Sequence, residues 1–440
     1  MSALDKEDSA TKKVPLSERE SWIVPATIFG GLEFAVPVIM VGSTLIGSFS
    51  LYKVLLILLI GLVIIQWVGN SLQGYLGAAT GRASSVIARS SFGSIQARFV
   101  VGLALVVLNV GWFGINTAVA GEAIAATIGL NYTEQWLGWA LITLLAGILF
   151  ALPAVIGYSS MKWTDYLAVP AGLILIITAV FFALKGTGWD AIMAWNPQEK
   201  AITMTEGISL VLGANIAQWL IASDFTRYSK PKVKDQILIP LGIVVTGMVF
   251  FLTGAVMAVG RGEPDIVIVM QDLGFPFWGF LILWLALWTS QIVASYSIGL
   301  AASNMLNIHS GKGRSILTLV GSLLGVVLAI AGILNFFTEF LTALAVIYPA
   351  IFIIMVIDFF FFRNQKWENN YGWNWLATLA FLSGSLAGYI TQYVVPIGIP
   401  PLFSLAVSAI VYVLAMKIKN KYKPDKFTQA NNVEEEAETI

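Results

Sequence analysis

A chain of 440 residues of which 58% are apolar and 11% charged cannot cover a soluble globule with polar surface, so it is built for a bilayer. Its 25 basic and 25 acidic residues cancel, which gives no electrostatic reason to expect a nucleic-acid partner; the expected partners are membrane lipid and a small molecule. With no Cys and a single His, disulfides, thiolate sites and transition-metal clusters are excluded as the basis of function.

Hydropathy predicts an all-α integral membrane protein with twelve transmembrane helices, at roughly 22–49, 54–77, 97–127, 136–157, 162–184, 205–227, 236–260, 276–306, 315–334, 336–362, 372–394 and 401–418. Residues 1–21 form a polar N-terminal tail with no apolar core for a signal peptidase, so the first span serves as insertion signal. Residues 419–440 turn basic and then acidic, the pattern of a solvated, disordered tail. With the N-terminus inside, 21 of the 25 Lys and Arg fall on cytoplasmic segments; only Lys53, Lys185, Lys200 and Arg261 fall outside. The expectation is a multi-pass protein of the cell membrane with both termini cytoplasmic, most simply a monomer.

Within the first span stands Gly30-Gly31-Leu32-Glu33-Phe34-Ala35-Val36-Pro37. Glu33 lies about 11 residues past the start of the span, roughly 16 Å deep at the helical rise, too deep for a short side chain to reach water. An acid at that depth costs about 2.5–3.5 kcal/mol on insertion scales and is normally kept by a binding function. The flanking glycines and the proline argue against continuous helix, and freed backbone groups at that depth need protein or a water-filled cavity around them.

In the third span Asn109 and Asn116 bracket Gly111-Trp112-Phe113-Gly114, a mid-membrane ring next to amides and a plausible stacking surface for a flat polar ligand. The sixth span, Glu206 to Trp219, is unusually polar and glycine-containing, as expected if spans 1–5 (22–184) and 6–10 (205–362) are inverted five-helix repeats whose first helices are both unwound, with spans 11 and 12 (372–418) appended. Asn215 and Gln218 there offer donors and acceptors, although amides also simply join helices. The eighth span carries Thr289-Ser290-Gln291, whose hydroxyls suit a weakly held Na⁺ or bond back to their own helix. Asp224 and Asp358 close the sixth and tenth spans, where a carboxylate opposes the helix dipole; pairing with Arg89, Arg227 or Arg363 in a structural or gate-latching role is expected.

These residues resemble the nucleobase–cation symporter family, in its cytosine permease branch. The likeness covers about Pro25 to Lys366 and rests on Thr80-Gly81 with Arg89-Ser90-Ser91-Phe92-Gly93, Val110-Gly111-Trp112-Phe113-Gly114, Ser223-Asp224-Phe225-Thr226-Arg227 and Trp288-Thr289-Ser290. It implies a twelve-span transporter of two inverted repeats with the first and sixth helices unwound around the site. Trp112 matches the family's stacking ring, and Asn109 and Gln291 keep an amide at the polar edge. Thr289 and Ser290 match the sodium-binding hydroxyls, and the carbonyls of Gly31, Phe34 and Ala286 fall where the family completes the ion's shell. Asn215 and Ala35 stand where cytosine permeases carry aromatics, so the two-ring sandwich is lost unless Trp219, one turn on, replaces it. Glu33 replaces an uncharged residue.

The resulting expectation is a secondary active transporter, not an enzyme, importing a cytosine-, purine- or aminopyrimidine-like heterocycle with Na⁺ by alternating access. Trp112 stacks on the ring; Asn109, Asn215, Gln218 and Gln291 read its edge; Glu33 accepts from an exocyclic amine and a ring N–H. Symport of another small organic solute with protons carried by Glu33 is the alternative. A non-transporting receptor or membrane enzyme has little to support it, since no nucleophile and base, metal cluster or phosphate loop is present.

Overall fold

The computed structural model describes residues 12–33, 35–130, 134–197, 201–261 and 266–422. Every regular element among them is helical. In chain order these are α1 (Ile23–Leu32) and α2 (Val36–Ser48), α3 (Leu51–Thr80), α4 (Ser84–Phe92), α5 (Ser94–Thr127) and α6 (Trp136–Ile156), α7 (Tyr158–Gly186) and the short α8 (Trp189–Ala194). There follow α9 (Met204–Thr226), α10 (Val233–Ala258), α11 (Ile266–Asp272), α12 (Phe277–Leu306), α13 (Gly311–Ile330), α14 (Ile333–Phe362), α15 (Trp375–Tyr389) and α16 (Pro400–Tyr422). Among the described residues nine helices are long and apolar enough to cross a membrane, or ten if α1 and α2 form one span. Their outer faces carry apolar side chains where a soluble protein would carry charge: Leu145, Ile177, Val327 and Leu386 are all more than half exposed.

The first span is broken as its sequence implies. α1 stops at Leu32, Glu33 closes its last turn through a 3.2 Å N–H bond to Gly30 O, and Ala35 is extended at φ −119° and ψ 128°. α2 then restarts with Pro37 in its first turn, where the missing N–H has no partner to lose. The two halves meet at 58°.

The sixth span departs from expectation: α9 is one continuous helix, not an unwound one. A capping box of Thr203 and Glu206 starts it, and no proline interrupts it. Its glycines serve packing instead. A Cβ on Gly213 would stand 2.6 Å from Leu341 O on α14, so glycine there lets two backbones touch. α9 is the most deeply enclosed span, packed against α3 and α14, while α16 is the most peripheral. α16 runs on to Tyr422, so residues 419–422 of the expected C-terminal tail are helical, and its remainder lies outside the described residues. Of the expected N-terminal tail the segment Val14–Glu20 is docked, with Arg19 buried, and residues 1–11 lie outside the described residues.

Candidate functional site

The break in the first span opens a cavity between α1, α2, α5, α9 and α12. Leu32 and Ala35 bring the break to its wall, Trp112 supplies an aromatic surface, and Asn109, Asn116, Gln218 and Ser290 supply polar groups. Each is placed by helical phase: 109, 112 and 116 share one face of α5, and 214, 218 and 221 one face of α9. Phe340 on α14 meets Trp112 at 80° with centroids 5.5 Å apart, so it fixes the indole. Sequence reading passed over Phe340; its signal is a phenylalanine one helical turn inside the start of the tenth span.

The free polar atoms of this wall are mostly acceptors. Asn109 spends an amide N–H on Leu105 O at 2.7 Å, Ser290 its hydroxyl proton on Leu287 O at 3.0 Å, and the buried Asn116 Oδ1 has no protein partner. Gln218 is engaged at both ends: its N–H donates to Glu33 Oε1, and its carbonyl accepts from Gln66 at 3.0 Å. A ligand that brings N–H donors and a flat ring meets this wall's chemistry.

Three of the five expected cation ligands converge beside the cavity. Thr289 Oγ1 lies 2.7 Å from Gly31 O and 3.3 Å from Ala286 O, all neutral oxygens on a broken helix and its neighbour. Such hard oxygen donors suit Na⁺, and the hydroxyl bridges the two carbonyls. Ser290 sits one residue on and lines the cavity, its hydroxyl bonded to Leu287 O. Phe34 lies outside the described residues.

Glu33 is not in the cavity wall. It is fully buried behind it, held by Gln218, and Oε2 has no hydrogen-bond partner. Gly247 on α10 makes room for it, since a Cβ there would come within 2.9 Å of Oε2. Gln66, which sequence reading missed, joins this group from a wider π turn in α3 and also donates to the Asn215 carbonyl at 2.9 Å. Its signal was an amide in the otherwise apolar run Ile64-Ile65-Gln66-Trp67.

Three other expected substrate residues do not line the cavity. Asn215 turns its amide back to Val211 O of its own helix at 2.9 Å. Trp219, one position past the cavity-facing Gln218, packs on Phe352 with centroids 4.8 Å apart and on Gly69, so it does not replace the missing ring. Gln291 points into α5, donating to Thr117 Oγ1 at 2.6 Å and Phe113 O at 3.2 Å.

The two span-closing acids meet on one element. Asp224 accepts from the Ser84 backbone N–H at 2.8 Å, capping the start of α4. Asp358 accepts from Ser90 at 3.1 Å near its other end, from Tyr412 at 2.8 Å, and pairs with Arg363 at 3.5 Å. Arg89 binds the Asn304 side-chain carbonyl and Asn304 returns an N–H to Ser85 O at 3.1 Å. Thus α4 ties the ends of α9, α12, α14 and α16. Beside it the N-terminal strap docks: Arg19 donates to Ala78 O and Val14 O, and Glu20 N–H donates to Tyr228 O at 2.7 Å.

A family model described as "Permease for cytosine/purines, uracil, thiamine, allantoin" matches residues 13–412. The chain belongs to this permease family. It is therefore a membrane transporter and not an enzyme, in the family its motifs resemble. This permease is 27% identical over 429 residues to the cytosine permease of Escherichia coli strain K12, covering 96% of this chain and 97% of that one. It is 25% identical over 273 residues to the purine-uracil permease NCS1 of Arabidopsis thaliana, spanning 56% of this chain and 44% of the plant protein. Among solved structures it matches Mhp1, described as a nucleobase-cation-symport-1 family transporter in a closed conformation with bromovinylhydantoin bound. The TM-score is 0.81 at 17% identity over 96% of this chain and 98% of Mhp1. A Na⁺-coupled sialic acid symporter matches at TM-score 0.66 and 13% identity, over 95% and 93% of the two chains. At these identities the likeness is one of fold: an all-helical membrane transporter.

Proposed function

We propose that the permease imports a nucleobase-like heterocycle, cytosine or a related aminopyrimidine or purine, by symport with Na⁺ and alternating access across the cell membrane. The observation that carries this reading is the meeting of two sites at one helix break. The stacking and acceptor groups of the cavity and the Gly31–Ala286–Thr289 oxygens are neighbours at the α1–α2 break. A bound ion and a bound ring then hold the same arrangement of α1, α2, α5, α9 and α12, so each strengthens the other. Trp112 stacks on the ring, Asn109, Asn116 and Ser290 accept from its N–H edge, and Gln218 forms the floor. The near full-length likeness to a cytosine permease supports the substrate class.

The accompanying topology is twelve spans, with inverted repeats at 22–184 and 205–362, two added spans at 372–418 and cytoplasmic termini. Its support is reciprocal packing: α2 lies on α10 as α9 lies on α3, and α5 contacts α13 as α12 contacts α6. The bias of basic residues supports the orientation. The protein acts as a monomer in this reading.

The test is a binding panel of nucleobases and related pyrimidines on purified protein, by thermal shift with Na⁺ or with choline in its place. A cytosine-like compound is expected to stabilise the protein only with Na⁺. Stabilisation by no nucleobase, with or without Na⁺, would overturn the reading.

A further inference from the structure

Glu33 poses a chemical question that the cavity does not answer. Its side chain is fully buried, it forms no ion pair among the described residues, and one neutral amide, Gln218, is all that it receives. Among the described residues the groups placed against it are neutral: Gln218 on α9, Gln66 behind it on α3 and Gly247 on α10. A lone buried carboxylate in such surroundings is strongly disfavoured unless a cation or a proton joins it.

A second observation comes from α3. Gln66, Asn70 and Gln73 recur at helical spacing along one side of the helix, and all three are buried. Gln66 Oε1 and both side-chain polar atoms of Asn70 and Gln73 have no protein partner, and neither does Oε1 of the buried Gln236. Gln236 reaches Ser229 at 2.9 Å and the Lys230 carbonyl at 3.0 Å, beside the N-terminal strap. So many orphaned amide atoms at helical spacing mark a polar seam that water would serve, since buried polar groups find water when protein does not serve them. It runs from the loop end of α9 to Glu33, on the opposite side of α1 from Thr289.

We infer that Glu33 holds a second monovalent cation, Na⁺, distinct from the one at Gly31, Ala286 and Thr289, and that it is released from Oε2 to the cytoplasmic side along the Gln66–Asn70–Gln73–Gln236 seam. The carboxylate supplies the charge, and the orphan carbonyl of Gln66 and water in the seam supply neutral oxygens. The symport would then carry two ions per substrate, one on each flank of the broken helix. This deepens the proposed function and rests on it for its physiological meaning.

Equilibrium binding of radioactive Na⁺ to the purified full chain, without substrate, decides it. Wild type is expected to bind two ions per chain. Glu33→Gln and Thr289→Val should each bind one, and the double variant none. Gly247→Ala, which crowds Oε2 without changing charge, should weaken one of the two sites at least tenfold and leave the other alone, so the answer stands even if Glu33→Gln fails to fold. One ion in wild type, or an unchanged count in both Glu33→Gln and Gly247→Ala, overturns the inference, as does an infrared carboxyl band showing Glu33 protonated at neutral pH in saturating Na⁺. Two ions bound with no nucleobase bound or moved would instead overturn the proposed function and leave this site in place.

Discussion

Trp112 presents its ring to the cavity because Phe340 braces it nearly at a right angle. Base–aromatic stacking contributes about 1–3 kcal/mol, so Trp112→Ala should weaken nucleobase binding about 10- to 100-fold in a calorimetric titration. Phe340→Ala should cost less, since the indole stays but loses its support. Thr289→Val keeps the shape and removes the oxygen between Gly31 and Ala286. Nucleobase affinity should fall about 10-fold or more, because the ion site between Gly31 and Ala286 no longer fills. At this scale Trp112 was legible as a mid-membrane ring, found on the cavity, and Thr289 as a hydroxyl, found beside Gly31 and Ala286, whereas Glu33, expected to read the substrate, lies behind the cavity wall. Sequence reading misled where only helical phase decides. Asn215, Trp219 and Gln291 are as polar or aromatic as their neighbours in the site, but in helices buried on all sides the hydrophobic pattern does not reveal which side faces the cavity.

At the level of elements, the break between α1 and α2 was legible because two glycines and a proline leave local chemistry no continuous helix, whereas the glycines of α9 had a second use. Gly213 admits the α14 backbone, a tertiary reason that local sequence cannot display. The other telling element is α4, nine residues long and fastened at one end by Asp224 and at the other by Asp358. Asp358→Ala strips Ser90 and Tyr412 of their shared acceptor and leaves Arg363 without its carboxylate. Loss of one member of a buried pair typically costs about 3–5 kcal/mol, so a clear fall in melting temperature in detergent is expected, partly restored in Asp358→Asn. Arg19→Ala should instead loosen the strap over α3 and α9, read as faster proteolysis within residues 12–20 with little change in melting temperature.

The whole molecule divides into a broken-helix centre and an apolar exterior, and its function depends on exposing that centre to one side at a time. The absence of cysteine makes the geometry directly testable, since each introduced thiol is the only one present. Tyr52→Cys, at a position 76% exposed at the start of α3, should react with an impermeant maleimide added outside intact cells. Lys417→Cys should react only after the membrane is opened.

In the proposed mechanism Na⁺ and a nucleobase bind side by side at one broken helix and cross together. Uptake of radiolabelled cytosine into liposomes containing the purified protein, driven by an inward Na⁺ gradient, tests it most directly. The account predicts accumulation above equilibrium in wild type, collapse when choline replaces Na⁺, and loss in Trp112→Ala. Accumulation that is indifferent to Na⁺ and undiminished in Trp112→Ala would contradict it.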